Sequence, residues 1–221
     1  MKIAFVTECD YTIETETVTG CDLVIFPFFT RETVGYNREI KGITNYFRTL
    51  TSLSARLKAT IVAGCDTDSY GFLRHSAAVC DKGKLLGISD MTVIRDGDKY
   101  TGGGSLRVYD THAGKIGVAV GTDALSSECV KTLALCGADI VVNVSDGLED
   151  GTACVSARAK AYEFGVPIAI CAYKNAALAG TDGNMVFTSP QKVTAVNLKA
   201  EKDYHLITLR RRGRKRKGDR I

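Results

Sequence analysis

The segment from residue 115 to 146, KIGVAVGTDALSSECVKTLALCGADIVVNVSD, constrains the fold more than any other part of the chain. Residues 116–120 form a short apolar run with no charge after Lys115, the composition of a strand covered on both faces. Gly121-Thr-Asp123 breaks it. From residue 124 to 136 the apolar positions Leu125, Cys129, Val130, Leu133, Ala134 and Cys136 recur three and four residues apart, which predicts a helix with one buried stripe. Gly137 ends it in the manner of a C′ residue. Residues 138–143 then read as a second buried strand, so the unit is βαβ with a parallel pair. Ligands in such units bind beyond the carboxyl ends of the strands, here at residues 121–123 and 143–146.

The rest of the chain extends this pattern. Residues 3–6 and 23–26 are buried-type strands, and Tyr46, Phe47, Leu50, Leu53 and Leu57 give a helical stripe over 44–59. Strands are predicted at 60–64, at 74–80 and 84–88 around an Asp81-Lys-Gly83 turn, and at 106–109. Asp96-Gly97 marks a turn and Gly102-Gly-Gly104 a flexible bend. A helix over 152–164, ended by Gly165, leads to a strand at 166–171, and 185–187, 193–198 and 205–209 are the last strands. Strands alternating with a few long helices and a run of hairpins make the chain α/β, with a mixed sheet or two packed sheets. In 221 residues no Pro/Ser linker appears, so one domain over 1–209 is expected, followed by a disordered basic tail at 210–221.

Charge is concentrated in that tail. Residues 210–217 hold seven basic side chains in eight positions, while residues 1–209 carry 21 basic and 24 acidic groups. Such a tail can bind nucleic acid or an anionic membrane surface by counterion release; the plainer reading is a solvated terminus. No aromatic residue is interleaved to stack on bases, which argues against specific RNA recognition. The eight cysteines are scattered with no CxxC pair and no histidine at ligand spacing, so neither a zinc site nor a disulfide framework is expected, and no cofactor is implied. No apolar run reaches the roughly 18–20 residues of a membrane span. The MKIAFV start has no signal-peptide profile, so the expected location is cytoplasmic.

Six landmarks in order, CDLVIFP (21–27), HSAAVCDKGKLLG (75–87), RVYDTHAGKIGVAV (107–120), TDALSSE (122–128), LALCGADIVVNVS (133–145) and ARAKAYEFGVPIAICA (157–172), resemble the nitrilase, or carbon–nitrogen hydrolase, superfamily. The resemblance covers nearly all of residues 1–209. It implies a four-layer αββα sandwich, a homodimer, and hydrolysis of amides or nitriles through a cysteine thioester, with a glutamate as base and a lysine beside the oxyanion. That chemistry needs all three groups: a thiolate to attack, a carboxylate to move the proton and a cation to hold the developing charge.

At the positions the resemblance assigns to glutamate, lysine and cysteine, this sequence has Phe28, Met91 and Gly121. Losing one member of a buried charged pair strands the other, whereas replacing both by apolar groups can be neutral. A smaller, drier and less polar pocket lined by Phe28, Met91, Gly121 and Asn143 is therefore expected, holding an unidentified small molecule. Thr122 adjoins the nucleophile position but lacks an evident base. Glu32 and Asp90 are candidates for a relocated carboxylate, with a solvated loop charge as the plainer reading. Lys99 would enter if the lysine position shifted by several residues. Cys129 belongs to the helix's buried stripe, and Glu128 reads as a structural anchor. His75, His112 and His205 are dispersed and read as strand or turn residues. Three functions are compatible with these residues: a nitrilase-fold protein that has lost hydrolase activity and binds or regulates; a divergent carbon–nitrogen hydrolase with a relocated nucleophile; and non-specific nucleic-acid association through residues 210–221.

Overall fold

The computed structural model describes residues 1–8, 17–28, 32–146 and 150–199. The strand expected at 205–209, the tail at 210–221 and Cys9 lie outside them. The elements in chain order are β1 (Lys2–Val6), β2 (Leu23–Phe28), β3 (Val34–Gly35), α1 (Tyr36–Ile40), α2 (Tyr46–Leu57), β4 (Thr60–Ser69), β5 (Phe72–Asp81), β6 (Lys84–Asp90), β7 (Arg107–Thr111) and β8 (Gly114–Val120). A 3₁₀ turn at Gly121–Leu125 precedes α3 (Ser127–Leu135), β9 (Ile140–Val144), α4 (Asp150–Phe164), β10 (Ile168–Ala172), β11 (Asn175–Ala179), β12 (Met185–Ser189) and β13 (Val193–Asn197).

The strands build two sheets, ordered β13-β1-β2-β4-β5-β6, with β3 added beside β4, and β12-β11-β10-β9-β8-β7. Period-two alternation fixes what each face meets. Ile3 and Phe5, Leu23 and Ile25, Ile116, Val118 and Val120, and Ile140, Val142 and Val144 form one core between the sheets. The opposite face of the first sheet packs on α2 through Leu50, Leu53 and Leu57. The opposite face of the second packs on α3 and α4 through Val130, Leu133, Ala157 and Phe164. Helix, sheet, sheet, helix is the αββα sandwich that the family resemblance implies.

The βαβ unit is present, with β8 and β9 parallel in the register Ile116↔Ile140. Its helix is shorter than the periodicity predicts. Asp123 draws the first turn into a 3₁₀ turn, and α3 starts afresh at Ser126, whose hydroxyl accepts from Cys129 N at 3.4 Å.

One tie joins the sheets at the end of β5. The Asp81 carboxylate pairs with His112 Nδ1 at 2.6 Å, in the β7–β8 turn, and accepts from Thr60 Oγ1 at 2.8 Å. Burial alone pushes the Asp81 carboxyl up, but the hydrogen bonds from His112 and Thr60 outweigh it and hold the group below its ordinary value. A depressed folded value means stability that is fully present above the ordinary carboxylate range and lost as pH falls through the folded value. Asp81→Asn is therefore expected to destabilise at neutral pH and to converge with the wild type as pH falls through the lowered folded value of Asp81. Urea denaturation at stepped pH measures that convergence.

Candidate functional site

The site is built by an irregularity in β2. Phe26 and Phe28 would share a face in a regular strand, yet Phe26 packs under α2 while Phe28 packs on the core between the sheets. The cause is a bulge at Pro27, where Phe26 pairs with Ala63 and Phe28 with Gly64. A proline lacks the N–H for the ladder, and one extra residue reverses the facing of the residues beyond it. Phe28 then lies across β4. A Cβ on Gly64 would stand 2.8–3.0 Å from Phe28 Cδ2, Cγ and Cε2, so only glycine leaves room for the ring.

His75 faces the same space. It shares the inward parity of Ala77 and Val79 on β5, and its ring stacks on Phe28 with centroids 3.6 Å apart and planes 9° from parallel. Its cross-strand neighbour is Asp66, whose Oδ1 lies 2.7 Å from His75 Nδ1. Tyr100 donates its hydroxyl to Asp66 Oδ2 at 2.9 Å and lies at 4.8 Å from the imidazole, centroid to centroid. Burial first, then the Asp66 carboxylate, push the Tyr100 phenol up, so it remains a donor. Lys99 is at the rim, its Nζ 3.9 Å from Asp66 Oδ2 and over the Tyr100 ring. His75 is only 4% exposed, and its Nε2 faces Asp146 Oδ1 at 3.9 Å, beyond hydrogen-bond length.

Gly121 closes the site from the second sheet. Its φ of +53° is left-handed, a conformation glycine adopts without strain. A Cβ here would stand 2.7 Å from Met91 Sδ and 3.2 Å from His75 Cδ2. The thioether and imidazole thus fill the space a side chain at 121 would need. Met91 is held by its own backbone, donating to His75 O at 2.7 Å and accepting from Gly103 N at 2.8 Å. Gly102-Gly-Gly104, expected as a flexible bend, includes a tight contact instead: a Cβ on Gly103 would meet Asp90 Cβ at 2.7 Å.

Asp123 locks the two sides together. Fully buried, it accepts from Thr92 N, Thr92 Oγ1 and Val93 N at 2.8–2.9 Å, and from Val120 N at 3.4 Å. Burial pushes its carboxyl up, against the pull of those donors. Asn143 supports the turn from beneath, donating Nδ2 to Gly121 O at 3.1 Å; its buried Oδ1 has no partner among the described residues.

The structure therefore gathers Phe28, Met91 and Gly121 around His75, with Asn143 behind. The other candidates fall elsewhere or are already engaged. Thr122 Oγ1 donates to Val93 O at 2.8 Å. Asp90 binds Arg74 and Ser76, each at 2.8 Å. Glu32 and Glu128 are exposed, and Cys129 is buried with its sulfur 3.5 Å from Thr92 Oγ1. No group of three potential metal ligands occurs among the described residues.

The site is more polar than the sequence reading expects, because His75, Asp66 and Tyr100 enter it. The signal lies in parity: His75 is two residues before Ala77 and four before Val79, and Asp66 ends an otherwise apolar run. What parity alone cannot supply is the pairing register that sets the two side by side.

A sandwich of this topology, with a strand-to-turn elbow at Gly121, defines a carbon–nitrogen hydrolase fold. The carbon-nitrogen hydrolase family model matches residues 12–200, and the chain belongs to that family. Among solved structures, a mutant of the amidase from Nesterenkonia AN1, of the nitrilase superfamily, is similar with a TM-score of 0.72 at 15% identity over 90% of each chain. Nit3 of Saccharomyces cerevisiae gives 0.73 at 15% over 89% of each. The carbon-nitrogen hydrolase of Helicobacter pylori G27 gives 0.70 at 16% over 89% of each. No curated protein matches the chain.

Proposed function

We propose that this family member does not hydrolyse amides or nitriles through a cysteine and instead binds a small ligand beyond the carboxyl ends of its strands, in a binding or regulatory role. The observation carrying this reading is Met91 Sδ, 2.7 Å from where any Cβ at position 121 would stand. The family chemistry needs a thiolate, a base and a cation converging on one carbonyl. Phe28, Met91 and Gly121 supply none of them. Pairing of two chains is supported by the family resemblance alone.

One observation favours a divergent hydrolase: His75 with Asp66 has the geometry of an oriented general base. Among the described residues no Cys or Thr is hydrogen-bonded to His75, so no nucleophile is set against the pair there. Carbamoylmethylation of the native protein, read residue by residue, separates the two readings. Among the cysteines of the described residues, exposed Cys136 and half-buried Cys154 should label first and without protection by amides. Cys65 and Cys80 should be slow, their thiols pushed up to about 12 by burial. One fast-labelling cysteine protected by an amide would revive the hydrolase.

A further inference from the structure

Four large apolar side chains stand exposed on the segment that follows β3 and at the β4–β5 turn, none of them among the residues of this site. β3 runs parallel to β4, with Gly35 opposite Asp68, so α1 and the β4–β5 turn leave the same end of the sheet. There Ile40 is 84% exposed, Ile43 63%, Tyr70 83% and Phe72 57%. The segment is ordered rather than loose: Lys41 N, Gly42 N and Ile43 N bond back to Asn37 O, Glu39 O and Arg38 O.

Tyr70 is the informative member. It and Gly71 form a two-residue turn with φ of +54° and +89°, the conformation for which Asn-Gly is preferred. A bulky residue there is strained. Its side chain makes no hydrogen bond or ring contact among the described residues and is 83% exposed, so little burial offsets the strain. The strain is explained if the exposed ring itself has a use.

Charge indicates what the cluster meets. Residues 36–58 hold five basic side chains and one acid, Glu39. Glu39 is turned away to cap α2, accepting from Tyr46 N at 3.0 Å and Phe47 N at 3.1 Å. Asp68 is likewise tied to Gly71 N at 2.7 Å. Arg38 and Lys41 are thus left exposed beside the apolar tips. A second copy pairing two-fold on this patch would bring four cations, Arg38 and Lys41 from each chain, into one interface with no exposed acid of this segment to offset them. An anionic lipid surface accepts both components: cations at the headgroups, aromatic and aliphatic tips at the acyl boundary.

We propose that Ile40, Ile43, Tyr70 and Phe72, rimmed by Arg38 and Lys41, form a peripheral docking tip for an anionic lipid bilayer. The chain contains no tryptophan, so Tyr70→Trp in the full-length protein is a single reporter at the tip. With vesicles of phosphatidylcholine containing about 30% phosphatidylserine, its emission should shift to the blue, and binding should be roughly tenfold stronger than to phosphatidylcholine alone. Ile40→Ser with Tyr70→Asn should weaken vesicle binding about tenfold without lowering Tm, because Asn suits the turn. Vesicle binding undiminished in that double variant would assign attachment to the basic tail and overturn the proposal. So would a blue shift that grows with protein concentration in the absence of vesicles, which would make a second copy the occupant, or no shift at all.

Discussion

Asp123→Ala is expected to destabilise the protein by about 3–5 kcal/mol, the largest effect of any single truncation in the site. The carboxylate is fully buried and takes three backbone N–H groups and one hydroxyl, drawn from the end of β8 and the segment after β6. Removing it leaves those four donors without their acceptor, at about 1–3 kcal/mol for each that stays unsatisfied, and relaxation or water recovers part of the sum. For a domain of this size that corresponds to a fall in Tm of roughly 10 °C. Thr92→Val, which keeps both amide donors, should cost only about 1 kcal/mol. Urea denaturation of the two variants tests the ranking. Equal losses would mean that the Asp123 cradle does not tie the elbow to the Met91 segment.

Gly64→Ala should cost about 3 kcal/mol, although alanine is ordinarily favoured over glycine in a strand. The added methyl would stand 2.8 Å from the Phe28 ring, whose movement is restricted by the His75 ring stacked on it at 3.6 Å. The interaction is therefore with one side chain. In a Phe28→Ala background the same substitution should cost under about 0.5 kcal/mol, giving a coupling of at least about 2 kcal/mol in the double-mutant cycle. Additive losses would show that the backbone, and not the ring, limits the space at Gly64.

Asp123 and Phe28 mark where sequence reading reaches and where it stops. The βαβ unit, the apolar strand runs and the helix stripe at Leu50, Leu53 and Leu57 are local periodicities, so the α/β class is legible in them, while the four-layer sandwich comes from the family resemblance. The family landmarks place Phe28, Met91 and Gly121 at one site, and the fold gathers them around His75. His75 itself does not stand out in the sequence because its partners are set by register: Asp66 by the β4–β5 pairing, Phe28 by the one-residue bulge at Pro27. Nor does periodicity reveal that Asp123 draws a helix start into a 3₁₀ turn, since that depends on donors thirty residues away in sequence. Polar groups inside a sandwich are recognised only when their hydrogen bonds are known.

If a filled, nucleophile-free site has replaced carbon–nitrogen hydrolysis, the protein should be inert towards the family's substrates. Ammonia release from a panel of aliphatic and aromatic amides and nitriles, followed for hours at high protein concentration, tests this without intermediary. The expected result is release no faster than in buffer, unchanged by His75→Gln. Turnover above buffer that His75→Gln abolishes would contradict it and make the His75–Asp66 pair the base of a working hydrolase.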